Sequence, residues 1–217
     1  MKYLEYPLFA EGYVNRFLTA GVFTEVQQFD KVKLHGRVNE WLKKGFAIHE
    51  NPCRKEFVRK RQENMPDYLE LDGAADGKNV EVFGQTRPLI PYFPFGNTGV
   101  DGSGFYYCPT WLRMYSYVLL EAETDCDVEF ELETCGGVTI WVDGAFVTDF
   151  TPFTRNMVKK TTVVLPLKAG KNRLLVCLDD LAERDTDYYF RLKRLGDAAL
   201  TMLVPVRDEV EADVIGR

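Results

Sequence analysis

Apolar and acidic side chains alternate without a break along residues 126 to 133. The apolar positions are Cys126, Val128, Phe130 and Leu132, and the acidic positions are Asp127, Glu129, Glu131 and Glu133. A period of two gathers each set on one face of a β-strand, whereas a helix would scatter both sets around its surface. The segment therefore predicts a strand with one buried face and one solvated face.

A tight hairpin is predicted directly after this strand. Residues 138 to 142 form an apolar run, Asp143 and Gly144 follow, and a second short run covers residues 145 to 148. An Asp-Gly pair accepts the positive φ angles that a two-residue hairpin turn requires. Further strand patterns occupy residues 16–23, 80–83, 115–123, 161–167, 173–178, 188–193 and 200–206. Their regular spacing predicts an all-β fold, an antiparallel sandwich.

Two segments interrupt the strand patterns. Residues 37 to 64 carry apolar side chains at helical spacing among many lysines and arginines, which predicts short helices or an irregular insertion. The basic cluster from Arg54 to Arg61 is interpreted as a charged helix face, with contact to an anionic partner as the alternative. Residues 72 to 104 are rich in turn formers, prolines and aromatic side chains, and predict a long loop packed onto the body.

Length and composition favour one large domain. The chain has 217 residues, 46% of them hydrophobic, which is enough for a core that needs neither metal nor disulfides. We assign residues 1–206 to this domain. The valines at 206, 210 and 214 stand four residues apart beyond Pro205, so residues 207–217 are interpreted as the start of a helix or linker to a following domain.

Charge and cysteine content narrow the setting. The formal net charge of −6 leaves no positive excess for nucleic acid, so nucleic acid is not expected as a partner. The five cysteines cannot all pair within one chain, and we expect reduced thiols. The amino terminus lacks the apolar stretch of a secretory signal, and no run approaches the roughly 18 apolar residues of a membrane span. A cytoplasmic location without membrane contact is the expectation.

Catalytic patterns are sparse. A serine triad would have to use Ser103 or Ser116 with His35 or His49, and neither serine lies in a nucleophile elbow. The two histidines are fourteen residues apart without a Cys-x-x-Cys pair, so we interpret them as surface side chains, not as zinc ligands. The chain alone is not expected to be an enzyme, and no cofactor is expected.

One short acidic segment provides candidate ligands for a metal ion. Asp180, Asp185 and Asp187 provide hard oxygen ligands within a short stretch, and calcium accepts such ligands. The order lacks the glycine and the terminal glutamate of an EF-hand loop. A solvated acidic loop is the favoured interpretation, and calcium the alternative.

Aromatic side chains are the best lead toward a ligand. Trp41, Tyr92, Phe93 and Trp111, with Arg113 beside them, are predicted in loops or at loop–strand junctions. A flat apolar ring beside a polar group can stack on a sugar whose hydroxyls need partners. Packing in the core or at a domain interface is the favoured alternative.

Four segments together resemble the galactose-binding-like β-sandwich modules. They are Phe-Leu-Thr-Ala-Gly-Val-Phe at 17–23, Tyr-Ser-Tyr-Val-Leu-Leu-Glu-Ala-Glu at 115–123, Gly-Gly-Val-Thr-Ile-Trp-Val-Asp-Gly at 136–144 and Leu-Lys-Ala-Gly-Lys-Asn-Arg-Leu-Leu-Val at 167–176. The order of elements matches over residues 14 to 205, most sharply over 136 to 176. The resemblance implies a jelly-roll fold.

The resemblance also implies a setting in carbohydrate-active enzymes of bacteria, where such modules accompany catalytic domains. The expected function is a noncatalytic accessory module that packs against and orients the following domain of the same polypeptide. The alternative is a free-standing lectin-like module that binds glycans, of unspecified identity, through the aromatic residues named above.

Overall fold

Strands form most of the computed structural model, which describes residues 2–29, 31–45, 52–71 and 75–207. The first half contains β1 Lys2–Pro7, β2 Tyr13–Val14, β3 Leu18–Val26, α1 Lys31–Lys43, α2 Pro52–Glu63, β4 Asn79–Val82, β5 Gln85–Pro88, β6 Ile90–Pro91 and β7 Val100–Asp101. The second half contains β8 Gly104–Ala122, β9 Cys126–Thr134, β10 Gly137–Val142, β11 Ala145–Phe150, β12 Lys159–Leu167, β13 Gly170–Thr186, β14 Tyr189–Arg194 and β15 Leu200–Val206.

Within these ranges the strands form two main antiparallel sheets. The larger sheet has the order β1-β15-β8-β13-β10-β11, with β3 and β6 alongside β8, and the smaller has the order β12-β9-β14-β2, with β7 paired to β14. A separate hairpin joins β4 to β5. The predicted antiparallel β-sandwich with short helices is confirmed.

The core lies between the two sheets. Phe130 and Leu132 of β9 and Phe190 of β14 are fully buried in the same cluster as Val176 and Leu178 of the larger sheet. The side chains that alternate with those of β9 are exposed or half-buried, as the period of two predicts. Burial of these side chains is the main stabilising contribution to the sandwich.

The hairpin between β10 and β11 forms at the predicted place. Asp143 has a φ of 50° and Gly144 a φ of 87°, both in the left-handed region that this turn uses. The Asp143 Oδ1 atom also accepts the backbone N–H of Arg173 at 3.0 Å, which ties the turn to β13. The sequence signal was sufficient here because the constraint is local.

Two strands extend well beyond their predicted limits. Strand β8 begins at Gly104 instead of residue 115, and β13 continues to Thr186 instead of ending at residue 178. The two strands pair along almost their whole length, with an irregularity between Ala182 and Arg184. The interpretation of residues 179 to 187 as a solvated loop is therefore wrong through residue 186, and Asp179 and Asp180 are buried.

The two helices confirm the helical interpretation of residues 37 to 64 where that segment is described. No helix in the described ranges is long and apolar enough to cross a membrane. The predicted helix after residue 207, and His49, lie outside the described residues. The single domain over residues 1–206 stays a prediction.

Candidate functional site

Helix α2 lies on the outer face of the larger sheet, on the side away from the core. Arg54, Phe57 and Arg61 are three and four residues apart, so they share one face of the helix, and all three are buried. Among them only Phe57 is apolar. The face that docks on the sheet is therefore mostly cationic.

Arg61 lies at the centre of this contact. Its Nη1 and Nη2 atoms each donate to a carboxylate oxygen of Asp149 at 2.7 Å. Nη2 also donates to the Oγ1 atom of Thr139 at 2.7 Å, and Nε donates to Asp179 at 3.2 Å. The guanidinium thus joins α2 to three strands, β10, β11 and β13.

Asp179 is shared between two arginines and a tryptophan. Arg113 donates to both of its oxygens, at 2.7 and 3.2 Å, and the Nε1 atom of Trp111 donates at 3.0 Å. Burial by itself disfavours the charged guanidinium of Arg113, but the neighbouring Asp179 outweighs it and raises the pKa of Arg113. Arg113 therefore stays positively charged.

Arg54 makes a second buried pair at the amino-terminal end of α2. Its Nη1 atom donates to Asp180 Oδ1 at 2.7 Å, and its Nη2 atom donates to the carbonyl of Leu181 at 2.6 Å. A Cβ atom at Gly136 would lie 2.5 Å from the Asp179 carbonyl oxygen and 3.2 Å from the Asp180 Cβ. Only glycine fits at this position, where the β9–β10 turn closes over β13.

Four aromatic rings pack around the arginine pairs. Phe57 meets Trp111 edge-to-face at a centroid distance of 5.3 Å and Phe153 at 5.1 Å. Phe83 contacts the other side of Trp111 at 5.2 Å. These rings exclude water from the ion pairs, which strengthens the electrostatic attraction within them.

We call this set the arginine cluster: Arg54, Arg61, Arg113, Asp149, Asp179 and Asp180. Each of the three guanidinium groups is paired with a carboxylate of the same chain, so the cluster fixes α2 to the sheet. The interpretation of the basic residues as a charged helix face is wrong for Arg54 and Arg61. It holds for Arg59, which is 54% exposed and pairs with Glu56 and Glu63.

The predicted ligand residues do not form one surface. Trp111 and Arg113 are buried in the interior of β8, and not in a loop as predicted. The Cζ atom of Arg113 lies 5.2 Å from the centroid of the Trp111 ring. Within the described residues, no ring contact or hydrogen bond joins them to Tyr92 or Phe93. Since α2 covers both side chains, neither can stack on a sugar in this structure.

Tyr92, Phe93 and Trp41 lie elsewhere. Tyr92 is half-buried, and its hydroxyl accepts the backbone N–H of Asp101 at 3.1 Å. Phe93 is 65% exposed and contacts Phe95, which is 96% exposed. Trp41 is half-buried in α1. Of the predicted aromatic set, Phe93 therefore presents the most open ring.

The uncovered end of the outer face lies at the start of β8, where the sequence interpretation predicted no strand. Phe105 and Tyr107 flank the half-buried Tyr106 near the start of β8 and are 48% and 84% exposed, with their rings 5.0 Å apart. Arg184 of β13 lies 6.0 Å from the Phe105 ring. We call residues 104–109 and 182–186 the aromatic arm. A longer predicted β8 would have revealed it, because Phe105 and Tyr107 stand two positions apart and a strand places such side chains on one face.

A cleft of about 720 Å³ opens at the other end of the sandwich. Its lining includes Leu8, Glu11, Glu121, Glu123, Arg194 and Leu200. The Glu11 carboxylate forms a salt bridge with the Nζ atom of Lys193 at 2.9 Å. None of the predicted ligand residues lines this cleft.

The predicted calcium ligands do not converge. The Asp180 carboxylate is buried in a salt bridge with Arg54, whereas Asp185 and Asp187 are exposed. Among the described residues no group of three or more His, Cys, Asp or Glu side chains could hold a metal ion. The structure thus gives the calcium alternative no support at Asp180.

No family model and no curated protein matches the chain. Similar solved structures include a family 35 carbohydrate binding module from an environmental isolate, with 14% identity over 52% of this chain and 81% of that chain and a TM-score of 0.30. A family 35 module from Clostridium thermocellum has 14% identity over 48% of this chain and 86% of that chain, with a TM-score of 0.28. The β-glucosidase from Kluyveromyces marxianus in complex with glucose has 13% identity over 58% of this chain and 14% of that chain, with a TM-score of 0.31.

The class of protein, an antiparallel β-sandwich with helix α2 docked on its larger sheet, follows from the pairing of its own strands and from the contacts of Arg54 and Arg61.

Proposed function

We propose that this chain is a noncatalytic accessory β-sandwich module of a larger, bacterial, carbohydrate-active protein, and that it packs against and orients a neighbouring domain of the same polypeptide. The carbohydrate setting rests on the sequence resemblance over residues 136 to 176. The docking role rests on the structure's exposed aromatic arm. The five free cysteines suit a reducing compartment and support a cytoplasmic location.

The aromatic arm is the observation that carries the docking role. Phe105 and Tyr107 present adjoining rings to solvent on the same strand face whose continuation α2 covers. Adjoining exposed rings are unfavourable on an isolated surface, and such patches mark contacts with other proteins. A neighbouring domain that covers the arm would continue the layer that α2 begins.

Amide hydrogen exchange in the complete product of the gene tests this role. We expect the amides of residues 104–109 to exchange more slowly in that product than in the 217-residue chain. Tyr107→Ala should reduce this protection, whereas Val164→Ala, which changes a 45% exposed side chain on the smaller sheet, should not. Equal exchange in both proteins, or a gene that ends at residue 217, would contradict the proposal.

Glycan binding is the second candidate, and the open Tyr107 ring favours it. A ring that is 84% exposed, beside Phe105 and the charged side chains of Arg184 and Asp185, offers a stacking platform with polar neighbours. Isothermal titration calorimetry against a glycan panel tests this function. Binding that Tyr107→Ala abolishes would favour the lectin-like role, and no heat with any glycan would exclude it at the arm.

A further inference from the structure

One buried carboxylate of the arginine cluster is incompletely bonded. Asp180 Oδ1 accepts from Arg54 and from the backbone N–H of Leu181, both at 2.7 Å. Asp180 Oδ2 is buried and has no hydrogen-bond partner within the described residues. Both oxygens of Asp179, one position earlier, accept two or more donors. The two adjacent aspartates therefore differ in how well the protein replaces their hydration.

The charges around Asp180 do not compensate for this deficit. Arg54 is its one ion-pair partner in the described structure, and Arg54 also lies 3.5 Å from Glu183. Its Nε atom is buried without a partner. The titratable and charged groups near Asp180 on the packed elements are Cys53 and Arg54 of α2, Arg113 of β8, Cys135 of the β9–β10 turn, Arg155 of the segment after β11, Asp179 and Glu183 of β13, and Tyr188 beside β14.

We propose that the joint between α2 and β13 is pH-sensitive: Asp180 takes up a proton in mildly acidic solution, and α2 then docks more tightly on the sheet than at neutral pH. The proton would sit on Oδ2, so Oδ1 keeps both of its donors. A neutral hydroxyl without a partner is less costly to bury than a charged oxygen. This proposal concerns the docking of α2 and is independent of the proposed accessory role.

The direction of the effect follows from proton linkage. Burial raises the pKa of Asp180 from 3.8 to about 6, and the attraction of Arg54 offsets only part of that rise. When α2 leaves the sheet, the carboxyl group reaches water and titrates near its ordinary pKa. The docked state then binds the proton more tightly, so the extra docking stability is fully present below the ordinary pKa and is lost as the pH rises through about 6.

Amide exchange in α2 measures this change. After correction for intrinsic exchange rates, we expect protection of residues 53 to 63 to be about tenfold higher at pH 5 than at pH 7.5. The reason is that pH 5 lies one unit below the docked pKa of about 6, and each unit of pH in that range changes the docking equilibrium about tenfold. Asp180→Asn should remove the difference. Asp125→Asn, which changes an exposed carboxylate paired with Lys168, should retain it. Equal protection of the unaltered chain at both pH values, or the same change in Asp180→Asn, would overturn the proposal.

A titration of the unaltered chain tests the proposal even if Asp180→Asn does not fold. The carbon-13 shift of the Asp180 carboxyl, assigned through its own backbone, reports its proton directly. A titration midpoint near pH 6, with the fold intact, supports the proposed pH dependence of α2 docking. A midpoint near pH 4 overturns it.

Discussion

Two stretches of β8 carry similar side chains, but one stretch is buried and the other is exposed. Trp111 and Arg113 are buried beneath α2, whereas Phe105 and Tyr107 on the same strand face are exposed. Aromatic character therefore does not separate the two stretches. What separates them is whether a neighbouring element supplies charges and an apolar ring that match the strand.

Helix α2 shows how a polar element can cover a sheet. Its sequence has only a few apolar residues, yet Arg54 and Arg61 pair with carboxylates, and Phe57 between them packs on two aromatic rings, Trp111 and Phe153. Such a contact is specific, because a shift of α2 along the sheet would leave buried charges unpaired. The aromatic arm is not covered in this way, although Arg54 in the first turn of α2 lies 3.5 Å from Glu183 at its edge.

Among the variants that test this comparison, removal of the Arg61 side chain should cause the largest loss in the free energy of unfolding. Arg61→Leu would remove the ion-pair partner of Asp149 and one of the donors to Asp179, and breaking a buried pair from one side is destabilising by about 3–5 kcal/mol. We expect that loss in the free energy of unfolding, measured by urea denaturation with circular dichroism. Arg59→Leu is the matched control on the exposed side of the same helix, where salt bridges contribute at most about 1 kcal/mol.

Similar losses for the two leucine variants would mean that the arginine cluster does not hold α2. In that case the burial of Trp111 would have to depend on Phe57 and on the segment after α2. The comparison between the covered and the uncovered stretch would then concern apolar packing alone.

Phe57→Ala tests that apolar part. Phe57 is fully buried and packs edge-to-face on Trp111 and Phe153, and truncation of a buried phenylalanine costs about 3–5 kcal/mol. We expect a loss near the lower limit of this range, about 3 kcal/mol, because the arginine pairs still hold the helix. The same denaturation experiment measures it, and emission from Trp111 should shift to longer wavelength. Val58→Ala, at a half-buried position beside it, should cost less.

Local signals in the sequence predicted the sheets well. The alternation in β9 and the Asp143–Gly144 turn are short-range constraints, and both appear where expected. The lengths of β8 and β13 were underestimated, because Asp179 and Asp180 resemble loop residues in a sequence. Their partners, Arg61 and Arg54, lie more than a hundred residues earlier.

The candidate site was less predictable for the same reason. Trp111 suggests a ligand platform when only its neighbours in sequence are considered, but Phe57 and Phe83 cover it from distant segments. The seven-residue spacing of Arg54 and Arg61 around Phe57 was the available signal. It predicts a shared helix face, yet it does not identify the strands that supply the carboxylates.

The smallest change in the free energy of unfolding is expected at the aromatic arm. This small change would sharpen the comparison between the covered and the uncovered stretch of β8. Tyr107→Ala removes a ring that is 84% exposed, so the free energy of unfolding of the isolated chain should change by no more than about 0.5 kcal/mol. Phe105→Ala should cost slightly more, because Phe105 is half covered by Tyr107 and Arg184. Urea denaturation of both variants provides the measurement. A loss at Tyr107 as large as that at Phe57 would mean that the arm is part of the core packing, and the surface assigned to a partner would no longer be free.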